Sequence, residues 1–409
     1  MGLEVVIFGG GGAGLWLLDA LVRDGYDVLL LESDALGSGQ TIASQGIIHG
    51  GLKYTLTGMF TSSARAIREM PLIWRRSLAG EHPPDLSKTK LRSEFCYLWQ
   101  TGSLSSRVAM IGARAGLRVR PRSLSREQRP PILADCPGTV ARLDEQVIEP
   151  ISLLSDLADQ HRDRILKIDA VNGLEFDSAK SGVSGGVIRL INPDTGEPLE
   201  LKPRDVILTA GEGNAQLRRS MGLSSSEMQT RPLHMVMVRG GRGSLPLLNG
   251  HCVDGRSTRL TITSTTDYAE RTVWQIGGQI AERGVSMEPA ELISFAASEL
   301  RDVIPGFNVP GAGVNLDELE WNTYRVNRAE QASAGGHRPA DVHVKREGRT
   351  ITAWPTKLAL VPRMASLIQD LLEAPSGGGS IDRATLVGWP RPGIALPPWE
   401  RQDTWFNAD

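Results

Sequence analysis

Gly9, Gly11 and Gly14 stand at G-x-G-x-x-G spacing, and an acid, Glu32, follows 18 residues after the last of them. These are the residue types that hold a dinucleotide. The first glycine permits a tight turn, the second lets a pyrophosphate approach the main chain, and the third lets a helix pack closely on a strand. A carboxylate at the end of the next strand binds the hydroxyls of an adenosine ribose, which disfavours a 2′-phosphate and points to FAD or NAD rather than NADP. Such glycines work only if elements place them. Residues 5–8 are an apolar run that predicts a buried strand, and Leu15, Leu18, Leu21 and Val22 recur at helical spacing. Residues 29–31 predict a second buried strand ending at Glu32. Strand, glycines, helix, strand and acid together form one βαβ unit whose helix N-terminus faces the phosphates.

A second unusual stretch runs through residues 37–54, Gly-Ser-Gly-Gln-Thr-Ile-Ala-Ser-Gln-Gly-Ile-Ile-His-Gly-Gly-Leu-Lys-Tyr. It is too polar for a core element. A dinucleotide loop, a ribose acid and then S-x-x-x-H-G-G-L-[RK]-Y resemble the FAD enzymes of the D-amino-acid oxidase superfamily, and within it the FAD-dependent glycerol-3-phosphate dehydrogenases. Residues 206–214, a buried strand entering a Gly turn, are similar to the third flavin-binding element of that family. Residues 350–360 take the place where the family has a strand and G-G-K-L-T-T. The sequence departs from the pattern twice. Lys53 replaces the usual Arg, keeping the charge without the bidentate fork, and Pro355 replaces a Gly, removing an N–H.

The resemblance implies FAD as cofactor, with contacts from Gly9, Gly11, Ala13, Gly14, Glu32 and Ser33 around the phosphates and ribose. Thr41, Ser44, Gly46 and Ile48 are implied along the flavin, Val147 by the adenosine, and Ala210, Gly211, Pro355, Thr356 and Lys357 in the later turns. It also implies an anion pocket of Lys53, Arg325 and Lys357, with Arg328 and Arg338 as neighbouring cations, and a proton acceptor among His234 and His49. The expected activity is oxidation of a CH–OH or CH–NH bond of a small anionic substrate, such as a glycerol phosphate or 2-hydroxy acid. Hydride passes to flavin, and a quinone, oxygen or another acceptor takes the electrons. An amino-acid oxidase of the same superfamily and a flavin-binding relative without turnover are the competing readings.

At 409 residues with 40% apolar composition the chain can bury two cores. Its net charge of −2, with signs intermixed, offers no nucleic-acid surface. Cys96, Cys136 and Cys252 form no metal or redox motif, and no histidine stands at ligand spacing to acids or cysteines, so no metal is expected. No apolar run has membrane-spanning length; a cytoplasmic protein is expected, with peripheral membrane contact left open. The expected fold is α/β. A Rossmann-like FAD-binding domain comes from 1–80, 145–225 and 335–375, a mainly antiparallel α+β substrate domain from 81–144 and 226–334, and a tail from 376–409. Proline at 71 predicts an interrupted helix over 61–78, and 107–117 a further helix.

Overall fold

A computed structural model describes residues 1–50, 62–101, 121–177, 186–241, 244–254, 257–308, 314–339, 341–377 and 384–407. Side chains are described for these except 62–68, 257, 308, 317 and 334. In chain order the first elements are β1 (Gly2–Phe8), α1 (Gly12–Arg23), β2 (Val28–Glu32), α2 (Ser62–Leu78), β3 (Leu91–Ser93), β4 (Cys96–Gln100), β5 (Arg122–Ser123), β6 (Val140–Leu143) and β7 (Val147–Ile148). Then follow α3 (Pro150–Asp159), β8 (Ile165–Lys167), β9 (Leu174–Phe176), β10 (Ile188–Ile191), β11 (Pro198–Leu208), α4 (Asn214–Ser220), β12 (Met228–Gly240), β13 (Gly250–Asp254), β14 (Ser257–Thr266) and β15 (Thr272–Gly277). The last are α5 (Gln279–Arg283), α6 (Pro289–Val303), β16 (Glu320–Gln331), β17 (His343–Glu347), β18 (Thr350–Trp354) and α7 (Val361–Gln369).

The first sheet is ordered β17-β18-β11-β1-β2-β8, with β9 and β10 added on β11. From β18 to β8 every neighbour is parallel, as crossover connections require. Parallel strands are covered on both faces, which is why β1 and β2 read as unbroken apolar runs. Helix α1 is buried from Gly12 to Leu21. It packs against α3, α7 and Trp74 of α2, whose ring meets Trp16 at 4.8 Å between centroids. Fully burying each of Leu15, Leu17, Leu18 and Leu21 contributes roughly 1.5–3 kcal/mol. Helix α2 runs through Pro71 without dividing. The lost N–H bond is outweighed by what lies beyond it: Trp74 is fully buried and its indole N–H donates to the Ala359 carbonyl at 3.1 Å. The expected helix over 107–117 lies outside the described residues.

The second sheet is ordered β16-β12-β15-β14-β13-β4-β6-β5 and is antiparallel except for β4 on β13. Strands β12 and β16 pair from Met228↔Gln331 to Arg239↔Glu320. One face carries Val236, Val238, Trp274, Ile276 and Trp321 into a core shared with α6. The other carries Met235, Met237 and Tyr324 toward the segment around Ala43. The fold is thus a Rossmann-like α/β sheet with a mainly antiparallel α+β unit inserted. After α7 the chain crosses from one sheet to the other. Ile394 bridges Leu36, Trp389 donates to the Lys167 carbonyl, Trp399 enters the core beside Met237, and Phe406 bridges Trp321. Among the described residues, no helix is long and apolar enough to cross a membrane.

Candidate active site

A single cavity of about 1150 Å³ runs between the two sheets. One part is built by the opening βαβ unit. Gly9 has φ +105°, and a Cβ there would lie 2.5 Å from the Ala210 main chain; a Cβ on Gly14 would lie 1.9 Å from the Gly9 carbonyl. Both positions therefore exclude any other residue, and the turn stays open to the cavity. The Thr41 hydroxyl accepts from the Gly12 N–H at 3.1 Å, at the start of α1. Glu32 accepts from the N–H groups of Gly10 at 2.6 Å and Asp34 at 2.8 Å, which fixes its carboxylate beside the loop. Ser33, Ile168, Leu174 and Phe176 line the cavity around it, a mixed polar and apolar wall suited to adenosine.

The segment from Ala43 to Ile48 crosses the middle. Its main chain is held on both sides. Tyr324 donates to the Ala43 carbonyl at 3.0 Å, and the Gln45 amide donates to the carbonyls of Thr261 and Gln275. Gly46 and Ile48 pair with Ile148 and Gln146; Gly46 has φ +72°, and a Cβ would lie 2.1 Å from the Ile148 carbonyl. Opposite, Pro355–Lys357 form a γ-turn in which the Lys357 N–H donates to the Pro355 carbonyl at 2.7 Å. Thr356 takes φ +60°, a left-handed conformation rare for a β-branched residue and typical of functional sites. The hydroxyls of Ser44 and Thr356 are buried against this cavity with no protein hydrogen-bond partner. Buried polar groups are almost always paired, so two orphaned hydroxyls across one slot mark the place of a polar ligand. The glycine cradle, the fixed acid and these hydroxyls fit FAD.

Beyond Gly46 the cavity reaches His49, Glu145, His251 and Lys357. Glu145 accepts from the Gly50 N–H at 2.8 Å, and its other oxygen lies 3.3 Å from His251 Nε2 and 3.7 Å from His49 Nδ1. His251 Nδ1 meets the Thr261 hydroxyl at 2.9 Å. His49 lines the cavity with its side chain partly exposed. Burial pushes its pKa down to about 4 against the opposing pull of Glu145, and His251 and Lys357 add to the fall, so the imidazole is neutral near pH 7. For Glu145, burial favours the neutral acid, but the hydrogen bonds and charge of the two histidines prevail and hold it well below the usual carboxylate range. Neither Glu145 nor His251 has a motif in the sequence, and their union with His49 corrects the expectation that no metal-type constellation exists. Glu145 stands between Asp144 and Gln146, and His251 follows Asn249 and Gly250, so neither stands out in the sequence.

The expected residues divide. Gly9, Gly11, Ala13, Glu32, Ser33, Thr41, Ser44, Gly46, His49, Ala210, Gly211, Pro355, Thr356 and Lys357 all line the cavity. Gly14 serves the packing of α1 on β1 instead. His234 does not line it. Side chains alternate along a strand, so Leu233 and Met235 face the cavity while His234 faces the α6 side, bonded to the Gly284 carbonyl and the Thr323 hydroxyl. Arg325 sits directly across from His234 but is itself among the residues lining the cavity, as is Arg338. The Arg325 guanidinium donates to the carbonyls of Val285 and Met287. Arg328, three residues on, falls on the Tyr324 face and carries a buried Nε without a partner. Ile48 and Val147 are core residues, Val147 bridging Ile47; the adenosine wall is supplied by Ile168. Lys53 lies outside the described residues.

Comparison with known proteins agrees with this geometry. Residues 4–341 match the family described as FAD dependent oxidoreductase. A probable FAD-dependent oxidoreductase of Pseudomonas aeruginosa is 37% identical over 401 residues, covering 97% of both chains. The crystal structure of an FAD dependent oxidoreductase from that organism superposes with a TM-score of 0.77 at 33% identity over 98% of each chain. Two more distant structures share the fold. Glycine oxidase from Geobacillus kaustophilus has a TM-score of 0.60 at 16% identity, covering 94% of this chain and 98% of its own. L-α-glycerophosphate oxidase from Mycoplasma pneumoniae, with FAD bound, has 0.61 at 14%, covering 91% and 95%. The chain thus belongs to the FAD-dependent oxidoreductases of the D-amino-acid oxidase superfamily.

Proposed function

We propose that the protein oxidises the CH–OH, or CH–NH, bond of a small anionic substrate, with a 2-hydroxy acid favoured over a glycerol phosphate. FAD supplies the two-electron acceptor for the hydride. The observation that carries the reading is the His49 end of the cavity, where a neutral imidazole braced by Glu145 stands beside Lys357. Lys357 holds the anionic group. His49 accepts a hydrogen bond from the substrate hydroxyl or amine and so turns the C–H bond toward the flavin slot. Arg325, an expected member of the anion pocket, lines the cavity but donates to two carbonyls. Among the described residues, the cation beside His49 is then lysine, which suits a monoanionic carboxylate better than a phosphate. Electrons leave to a quinone, oxygen or another oxidant.

Anaerobic mixing of the FAD-loaded protein with 2-hydroxy acids, glycerol 3-phosphate and amino acids tests the reading. Loss of the oxidised-flavin band with a 2-hydroxy acid is expected. K357M should weaken its saturation about 10-fold or more, the worth of one charge-assisted hydrogen bond, while FAD stays bound. Flavin left oxidised by every member of the panel would refute the proposal. Peroxide and ammonia released from an amino acid would move the assignment to an amino-acid oxidase.

A further inference from the structure

His49, Glu145 and His251 come from three distant segments and place one ligand-type atom each within 4.8 Å of the others. The placement follows from the second sheet. Strand β13 lies beside β4 with His251 opposite Leu98, β6 lies on the other side of β4, and Glu145 occupies the turn from β6 to β7. The Gly50 N–H donates to that carboxylate and brings His49 alongside.

We propose that this group is a binding site for one divalent transition-metal ion, held by His49 Nδ1, Glu145 Oε2 and His251 Nε2. Three features point to an ion. First, ligands around a tetrahedral Zn²⁺ at ordinary bond lengths lie about 3.3–3.5 Å apart. The separations here are 3.3 Å for His251–Glu145 and 3.7 Å for His49–Glu145, close to that spacing, and the two histidine nitrogens lie within 4.8 Å, a gap that an ion would close by drawing them in. Second, the outer partners are those that orient metal ligands. The Thr261 hydroxyl is on the far nitrogen of His251, and the Gly50 N–H is on the far oxygen of Glu145. Third, two histidines and one carboxylate make up the donor set of an open catalytic site, in which a fourth position is left for water or substrate. All three residues line the cavity, so that position faces the place assigned above to the substrate.

The inference deepens the proposed function and rests on it in one respect only. A substrate oxygen that would otherwise hydrogen-bond to His49 would instead complete the ion's coordination. A 2-hydroxy acid, offering hydroxyl and carboxylate oxygens on adjacent carbons, is the class best shaped for it. The nitrogen and oxygen donors suit Zn²⁺, Co²⁺ or Fe²⁺ rather than a hard ion that takes oxygen alone.

The test uses the FAD-loaded protein, stripped with a chelator and titrated with Co²⁺ and, separately, Zn²⁺, without substrate. Saturable binding of one Co²⁺ per chain with the visible absorption of a tetrahedral complex is expected. The isosteric E145Q and the smaller H251A should each lower affinity at least 10-fold, with the flavin spectrum and melting temperature confirming folded protein. T261V, which removes only an outer partner, should lower it about 10–100-fold. No saturable binding, or binding equally tight in E145Q and H251A, overturns the proposal. Because no substrate is present, the titration stands or falls apart from the flavin-reduction assay.

Discussion

Thr356 offers a test in which stability and cofactor affinity should move in opposite directions. Its φ of +60° is one that a β-branched residue adopts at a cost of about 1–3 kcal/mol. Its hydroxyl is buried without a protein partner, which costs about a further 1–3 kcal/mol in the absence of a ligand. T356G removes both costs but returns about 0.5–1 kcal/mol through the added freedom of the unfolded chain. FAD-free T356G should therefore be more stable than the parent by about 1–5 kcal/mol in urea unfolding. T356A relieves the hydroxyl and keeps the backbone strain, so it should gain less. T356S keeps a hydroxyl at the same point and should retain FAD affinity. In the two variants without a hydroxyl, FAD should bind about 5-fold more weakly, the worth of roughly 1 kcal/mol for one hydrogen bond. Flavin fluorescence reads the affinity. A T356G protein less stable than T356A when free of FAD would refute the strain argument. Unchanged affinity in both would show that the hydroxyl does not touch the cofactor.

Other consequences are equally direct. G14A forces a Cβ to 1.9 Å from the Gly9 carbonyl, so α1 must move from β1; the purified protein should carry no flavin by absorption and melt at lower temperature. R325A should leave substrate saturation unchanged and cost under about 1 kcal/mol in stability, because its side chain is exposed and its guanidinium is already bonded to the carbonyls of Val285 and Met287. H234A should destabilise by about 2 kcal/mol or more, leaving two buried partners unpaired, while the flavin reduction rate of the folded fraction is preserved. Asp19 is buried on α1. Burial alone would raise its pKa, but the hydrogen bonds and charges of His161 and Arg23 lower it overall. A carboxyl depressed on folding contributes stability above its unfolded pKa, near 4, and that contribution is lost as pH falls through the folded value. D19N should therefore be less stable than the parent at pH 6, and the gap should close below about pH 4 in urea unfolding.

The dinucleotide unit was legible because it is local. Strand, turn, helix and acid lie within 32 residues, and Gly9 and Gly14 are each demanded by a main-chain contact inside that unit or at the end of the adjoining strand. The segment from Thr41 to His49 stood out by composition alone, since the partners that hold its main chain on both sides come from distant parts of the chain. The substrate end was read less well. His234 was a sound candidate by type, but which face of β12 it occupies depends on a register set by β16 and β15, and a shift of one residue reverses it. Glu145 and His251 gave no spacing to recognise, because what joins them is the stacking of β6, β4 and β13, a relation that exists only in the folded sheet. Pro71 misled by a local rule that tertiary packing around Trp74 overrides.

The final crossing of the chain has a consequence for the lifetime of the holoprotein. Bridged at Ile394 to Leu36 and at Phe406 to Trp321, it lays Pro398, Arg401 and Gln402 along the cavity wall. A dinucleotide leaving past that wall would have to open one of the two bridges. Exchange of free for bound FAD should then run at the rate of local unfastening, whatever the equilibrium affinity. A protease nick at the half-exposed Leu396 should speed dissociation without removing any residue of the glycine cradle.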